Sequence, residues 1–148
     1  MRFICLAFIL LLAACGSSPA SRGADTPLYP NESPQLRAHI VAAATRNDVP
    51  IDLVQRVILR ESSHRPEARN GPYFGLMQIH PQTARTMGYR GAPSGLLDAE
   101  TNLRYAVKYL RGAWLLSGGS YDKAVGWYSR GYYYEAKRRG MLEETGLR

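Results

Sequence analysis

A chain of 148 residues with a formal net charge of +7 and only two cysteines is long enough for one folded domain and too short for two. Cys5 and Cys15 both lie near the amino terminus, so no disulfide is available to the rest of the chain, which its core alone must hold together. The basic balance points to an anionic partner. Lys137, Arg138 and Arg139 form the only dense run that would suit nucleic acid.

In chain order, the first element is a processing signal. Arg2 supplies a positive start, Phe3 to Ala14 is an unbroken apolar run, and Leu12, Ala13, Ala14 and Cys15 close it. The run is too short for a transmembrane helix, which needs about 20 residues. It resembles a bacterial lipoprotein signal, which implies cleavage before Cys15, thioether lipidation of that cysteine and acylation of the new amino terminus. Several acyl chains anchor stably where one is marginal. Gly16, and not an aspartate, follows the cysteine; in a Gram-negative cell this pattern points to the outer membrane, facing the periplasm. Residues 1–14 are then leader. Residues 15–33, rich in Ser, Gly and Pro without periodicity, read as a lipid-anchored flexible tether with a typical end-to-end distance of about 24 Å. The folded domain is expected over 34–148, with a charged tail.

Within it a mainly α pattern is legible. A first helix is expected from about Pro34 to Arg46, with Leu36, Ile40, Val41 and Ala44 inward. A second follows Asp48, with Pro50 near its first turn and Asp52 toward its positive end. A short one runs from Pro81 to Met87 and stops at Gly88. Asp98 is a good N-cap for a long helix whose Leu103, Ala106, Val107, Leu110, Ala113 and Trp114 recur at three and four. Gly118 and Gly119 break it, and Ser120 caps another helix containing Ala124, Val125, Trp127 and Tyr128. No segment shows sustained alternation, although residues 74 to 80 suit a short strand or an extended loop. Repeats are absent, and a monomer is expected.

Glu61 stands out against this pattern. Val54, Val57 and Ile58 recur at helical spacing, and Glu61, four after Val57 and three after Ile58, extends the same apolar face. Burial there and the negative end of the helix dipole both favour the neutral acid, which suits a proton donor at neutral pH. The plainer reading is a glutamate turned to solvent at a frayed helix end.

The residues that follow decide between these. Glu61 and Ser62, then Pro66 and Ala68, then Gly75, Leu76, Met77 and Gln78, with Pro81, Thr83 and Ala84 beyond, resemble the catalytic domain of the soluble lytic transglycosylase type, a relative of goose-type lysozyme. Leu97, Asp98, Glu100, Asn102, Tyr109 and Leu110 extend the match, which covers roughly residues 50 to 131. The chain departs from the family pattern in two places. Between Ala68 and Gly75 it is one residue shorter, with Asn70, Gly71, Pro72, Tyr73 and Phe74 in place of small residues. Downstream, Trp127, Tyr128, Ser129, Arg130 and Gly131 stand where the family has Ala-Tyr-Asn-x-Gly.

The resemblance implies a small lysozyme-like helical domain with a substrate cleft faced by Glu61. It also implies peptidoglycan as substrate, whose peptide carboxylates fit the basic charge. Glycosidic cleavage usually needs two carboxylates. Asp48, Asp52, Asp98, Glu100 and Asp122 have better uses at helix starts, Glu67 lies in a loop, and Glu143 and Glu144 are in the tail. A one-carboxylate site is what the resemblance implies. Glu61 protonates the bond between N-acetylmuramic acid and N-acetylglucosamine, and then takes a proton from the sugar's own 6-hydroxyl, leaving a 1,6-anhydro end. Ser62 and Gln78 are candidate hydrogen-bonding residues, Gly75 allows close backbone approach to the sugar, Met77 packs in the groove or the core with Leu76 and Ile79, and Tyr128 sits near the acid by resemblance. No cofactor is implied. His64 gives a Glu-x-x-His spacing with Glu61, but a metal site of that kind needs a second copy and further glutamates. It is read instead as a surface residue past the helix end, and no metal is expected. Two other readings stay open: a goose-type hydrolase with water as acceptor, and a noncatalytic wall-binding lipoprotein.

Overall fold

Helix α1 (Pro34–Arg46) is followed by α2 (Ile51–Glu61), the hairpin of β1 (Arg69–Asn70) and β2 (Tyr73–Phe74), α3 (Pro81–Thr86), a 3-10 turn (Pro93–Leu97), α4 (Ala99–Leu116), α5 (Tyr121–Arg130) and α6 (Tyr133–Arg138). The computed structural model describes residues 26–148; the leader, Cys15 and the first part of the tether lie outside the described residues. The expected mainly α class is what the chain adopts.

The helix starts are set by local chemistry. Ser33 Oγ accepts from the Leu36 N–H at 3.1 Å, with Pro34 at the first helical position. Asp98 Oδ1 accepts from Thr101 N at 2.8 Å and Ser120 Oγ from Lys123 N at 3.3 Å, so both expected caps are in place. Helix α4 is the centre of the domain and packs against α1, α3, the 3-10 turn and α5. Its stripe of Leu103, Ala106, Val107, Leu110 and Ala113 is buried, together with Leu36, Ile40 and Ala44 of α1 and Val54, Val57 and Ile58 of α2. Trp114 is only partly buried, packing edge-on against Tyr121.

The segment expected to be extended over 74 to 80 is mostly a turn. Only Tyr73–Phe74 is strand, antiparallel to Arg69–Asn70, and the chain then folds back so that Phe74 pairs with Ile79. Gly71 at φ +56° followed by Pro72 turns the hairpin, the sign pattern of a type II′ turn. The shortened loop is therefore an ordered hairpin.

Residues 26–33, read from composition as the end of a tether, are fastened to the domain. Glu32 is the fastening. Its carboxylate accepts from Arg37 Nε and Nη2 at 2.7 Å each, from Gln55 Nε2 at 2.8 Å and from the Tyr29 N–H at 2.9 Å. Arg37 also donates to the carbonyls of Thr26 and Pro27. Burial alone would raise the Glu32 carboxyl, but the hydrogen bonds from Arg37, Tyr29 and Gln55, with the Arg37 charge, outweigh it and hold the pKa down at about 2.

His64 joins this network, which corrects its reading as a surface residue: it is fully buried. Ser63 and His64 both take left-handed backbone, at φ 51° and 63°, and this returns the chain past the end of α2 toward the core. The His64 ring stacks on Tyr29, with centroids 4.9 Å apart, and its Nε2 lies 2.7 Å from Gln55 Oε1. Because the Gln55 amide nitrogen is committed to Glu32, that oxygen faces the ring, so Nε2 donates and buried Nδ1 carries no proton and has no partner among the described residues. Burial lowers the imidazole below its ordinary 6.5, the Glu32 charge opposing and the Arg37 charge assisting.

Both groups lose stability in acid. The unfolded chain protonates His64 below pH 6.5 while the folded chain resists, and it protonates Glu32 below 4.5 while the folded carboxylate holds its charge down to about 2. The urea midpoint is therefore expected to fall in two stages as pH drops from 7, the first starting below 6.5 and the second below 4.5. Glu32→Gln should shrink the second stage, leaving what Asp98 and Glu135, whose carboxyls are also held low by their partners, contribute to it. A midpoint that stays level between pH 7 and pH 3 would contradict the buried network.

Candidate active site

Helix α2 ends at Glu61, and its last turn brings Arg60 and Glu61 to one wall of a cavity of about 500 Å³. Asn70 and Tyr73 of the hairpin and Gln78 of the following turn supply the opposite rim. His80 and Thr83 come from the start of α3, Tyr109 from α4, and Tyr128, Ser129, Arg130 and Gly131 from the end of α5. Five separate stretches of chain therefore meet at the acid.

The Glu61 side chain is 23% exposed, so it reaches solvent from a half-buried position, and Arg60 Nε lies 3.5 Å from its carboxylate. Burial raises the carboxyl above its ordinary range, with the Arg60 charge partly opposing. The negative end of α2 works in the same direction as burial. Among the described residues that line the cavity, Glu61 is the only carboxylate.

The turn opposite is held from beneath. Asn102, fully buried on α4, accepts from the Met77 N–H at 3.0 Å and donates to the carbonyls of Phe74 and Leu96, both at 2.8 Å. Gln78, at φ 48°, donates from Nε2 to the Gly75 and Ala68 carbonyls at 2.8 and 3.0 Å. Its Oε1 is buried with no donor among the described residues.

The structure gives Gly75 a different role from close approach to a ligand. At φ +73°, a Cβ there would fall 2.4 Å from both Asn102 Nδ2 and the Leu96 carbonyl oxygen, so the glycine lets the turn seat against α4. Met77 lies in the core with Leu76, away from the cavity wall, while Ile79, also buried, lines it. Ser62 is also buried, its hydroxyl donating at 3.3 Å to the Ile58 carbonyl. Of the expected residues, Glu61, Gln78 and Tyr128 meet at the cavity; Ser62, Gly75 and Met77 support it from behind.

Tyr128 is buried, and its hydroxyl donates to the Met77 carbonyl at 2.8 Å. Its proton is thus committed to the turn, leaving an oxygen lone pair as its remaining capacity. Burial foremost, then the charge of nearby Glu61, pushes the phenol well up, so it stays neutral. Tyr109 packs edge-on against it at 5.5 Å and stacks on Tyr132 at 4.6 Å. Ser129 Oγ donates back along its own helix to the Val125 and Gly126 carbonyls at 3.0 and 3.2 Å.

Arg60, Tyr73, His80, Thr83 and Arg130 are cavity residues that pattern reasoning did not single out, because nothing local marks an exposed residue as facing a distant one. Asn102 did carry a signal. It is a polar side chain four residues before Ala106 on the inward stripe of α4. No cluster of three or more His, Cys, Asp or Glu side chains suited to a metal occurs among the described residues.

No solved structure matches the chain significantly. One family model does, described as the transglycosylase SLT domain, over residues 38–139. The match takes in the acid on α2, the Asn102-clamped turn and the end of α5, and leaves out the Glu32 fastening. It spans well over half of the chain, so the protein belongs to the transglycosylase SLT domain family, whose activity is directed at peptidoglycan.

Proposed function

We propose that the protein is a peptidoglycan lytic transglycosylase that cuts the β-1,4 bond between N-acetylmuramic acid and N-acetylglucosamine without consuming water. The observation that carries this reading is the solitary acid: Glu61 is the one carboxylate lining its cavity among the described residues, and its pKa is raised by burial. A protonated Glu61 gives its proton to the leaving oxygen as the bond to the muramoyl C1 breaks. The substrate's own N-acetyl oxygen closes on C1 and takes up the developing positive charge, the role a second carboxylate would otherwise fill. The muramoyl 6-hydroxyl then attacks C1, displaces the acetamido oxygen and returns its proton to Glu61. The product is a 1,6-anhydro end, and the enzyme is restored.

Tyr128 and the Gln78 turn position this chemistry. The Tyr128 bond to the Met77 carbonyl ties the end of α5 to the turn, and the unpaired Gln78 Oε1 is an acceptor beside the cleft. Muropeptides released from purified sacculi should be one water lighter than those released by a lysozyme. A digest in heavy-oxygen water that places label on the new sugar end would select the hydrolase instead.

For localisation, the reading is that Cys15 carries the lipid and holds the domain at the outer membrane, facing the periplasm. Its support is the position of the cysteine after Leu12, Ala13 and Ala14, with Gly16 next. Cys15→Ser should abolish acylation and leave an unprocessed precursor. Recovery of the native mature protein free of lipid would overturn the anchor.

A further inference from the structure

Three non-glycine residues in left-handed backbone meet just past the acid. Ser63 and His64, at φ 51° and 63°, form the turn that follows Glu61, and Asn31, at φ 67°, donates from Nδ2 to the Ser63 carbonyl at 3.1 Å. Left-handed backbone is costly for a residue with a side chain and persists where its surroundings over-determine it. Glu61 is the last residue of α2, the part of a helix that frays. The turn's own bonds back to the helix converge on one acceptor, the Ile58 carbonyl, which the Ser62 and Ser63 N–H groups reach at 2.9 and 3.1 Å.

Residues 29–32 supply further constraints. Besides the Asn31 bond, Tyr29 covers the His64 ring, and Glu32, by holding the Gln55 amide nitrogen, turns the Gln55 oxygen toward His64 Nε2. Tyr29 and Asn31 are both exposed, Tyr29 at 38%, and neither lines the Glu61 cavity. Their contacts with the turn therefore serve neither the hydrophobic core nor direct contact with whatever fills that cavity. The family match begins at residue 38, so this support comes from outside the matched span.

We propose that residues 29–32 are a strap that positions Glu61, with Tyr29 and Asn31 as positioning residues that act through the Ser62 to His64 turn. This rests on the reading of Glu61 as the acid. With the strap in place, the end of α2 holds the carboxyl at a fixed depth in the cavity wall. Without it, the last turn of α2 frays and the carboxyl moves toward solvent, out of line with the bond it must protonate. A misplacement of about 1 Å in a catalytic group is enough to cost about 100-fold in rate.

The test compares full-length Tyr29→Ala, Tyr29→Phe and Asn31→Gly proteins with the parent on solubilised glycan strands, well below the melting temperature of each. Glycine at position 31 accepts the left-handed backbone while removing the amide. Tyr29→Ala and Asn31→Gly are expected to lower kcat about tenfold, part of the cost of a misplaced acid, with KM unchanged. Tyr29→Phe, which keeps the stacking ring, should retain the parental rate. In the two slow variants the alkaline limb of the rate should also move to lower pH, since burial is the larger cause of the raised Glu61 carboxyl and fraying exposes it. Arg60 on the same helix, and Tyr73, His80, Tyr109, Tyr128 and Arg130 around the cavity, are untouched by these substitutions, so a moved limb reports the setting of the acid itself. A lower melting temperature with kcat and the limb both unchanged would make the strap merely structural and overturn the proposal. A raised KM at parental kcat would overturn it too. Equal cleavage by Glu61→Gln and the parent would instead bring down the reading of the acid, whatever the strap variants did.

Discussion

Glu61→Gln is expected to lower wall cleavage by at least about 100-fold, the smaller end of what a positioned general acid contributes, while the fold survives. The amide keeps the shape and cannot give up a proton. The same substitution should change stability in a direction that depends on pH. Because burial raises the folded-state pKa of Glu61, the folded chain holds this proton more tightly than the unfolded one. Ionising the group therefore costs stability, and the cost grows as pH rises through the folded-state value. At pH 7 the amide variant should melt at a slightly higher temperature than the parent, with the gap narrowing toward pH 4 as the parent also becomes neutral. The rate should follow the same titration, falling on the alkaline side as Glu61 loses the proton it must donate. Parent and variant cleaving sacculi at equal rates would sink the assignment. A melting difference of the opposite sign would place Glu61 in a more polar setting than its burial indicates.

Asn102→Ala should be the most destabilising change near the site, by about 3–5 kcal/mol. The residue touches no part of the cavity. It satisfies the buried Met77 N–H and Leu96 carbonyl and adds a second bond to the Phe74 carbonyl, which the Ile79 N–H also reaches, and an alanine leaves the first two unpaired in the core. For a domain of this size the loss corresponds to a fall in melting temperature on the order of 10 °C or more. Asn102→Asp keeps the shape and the acceptor, but it loses both donors and buries a charge, so it should be no better. Gly75→Ala should resemble these variants, since its methyl would strike the Asn102 amide and the Leu96 carbonyl. All three changes displace the turn that carries Gln78, so activity should fall even where enough folded protein remains to assay. An Asn102→Ala protein with parental melting temperature and activity would show that the turn holds itself.

The hairpin and the fastening were harder to read for opposite reasons. Asn70 to Phe74 departs from the family pattern as a shortened loop, yet its Gly71-Pro72 turn folds it into a hairpin whose Asn70 and Tyr73 line the cavity. Composition makes residues 26–33 the end of a tether, because a stretch rich in Ser, Gly and Pro without periodicity predicts no helix or strand. They form neither, and are ordered instead by one carboxylate that gathers Arg37, Gln55 and the Tyr29 N–H. Such networks leave no period in a sequence.

What the sequence by itself determined is everything whose cause lies within a turn or two of chain. Apolar recurrence at three and four residues forces Leu103, Val107 and Leu110 to one face, Ser33, Asp98 and Ser120 accept the first free N–H groups of their helices, and Gly88 and Gly118 end theirs. Glu61 on an apolar stripe beside a glycine-bearing turn belongs to the same class of local fact. Only the tertiary structure decided which distant groups the acid meets and where each proton goes. Tyr128 gives its proton to Met77, 51 residues away. His64, three residues past Glu61, turns inward on two left-handed residues to find Gln55. Asn102 spans 25 residues to hold the Met77 amide. A helical period records which face of a segment is buried, and a buried polar group must find a partner, but that partner is chosen by the packing of α4 against its neighbours, after the helices have formed their faces.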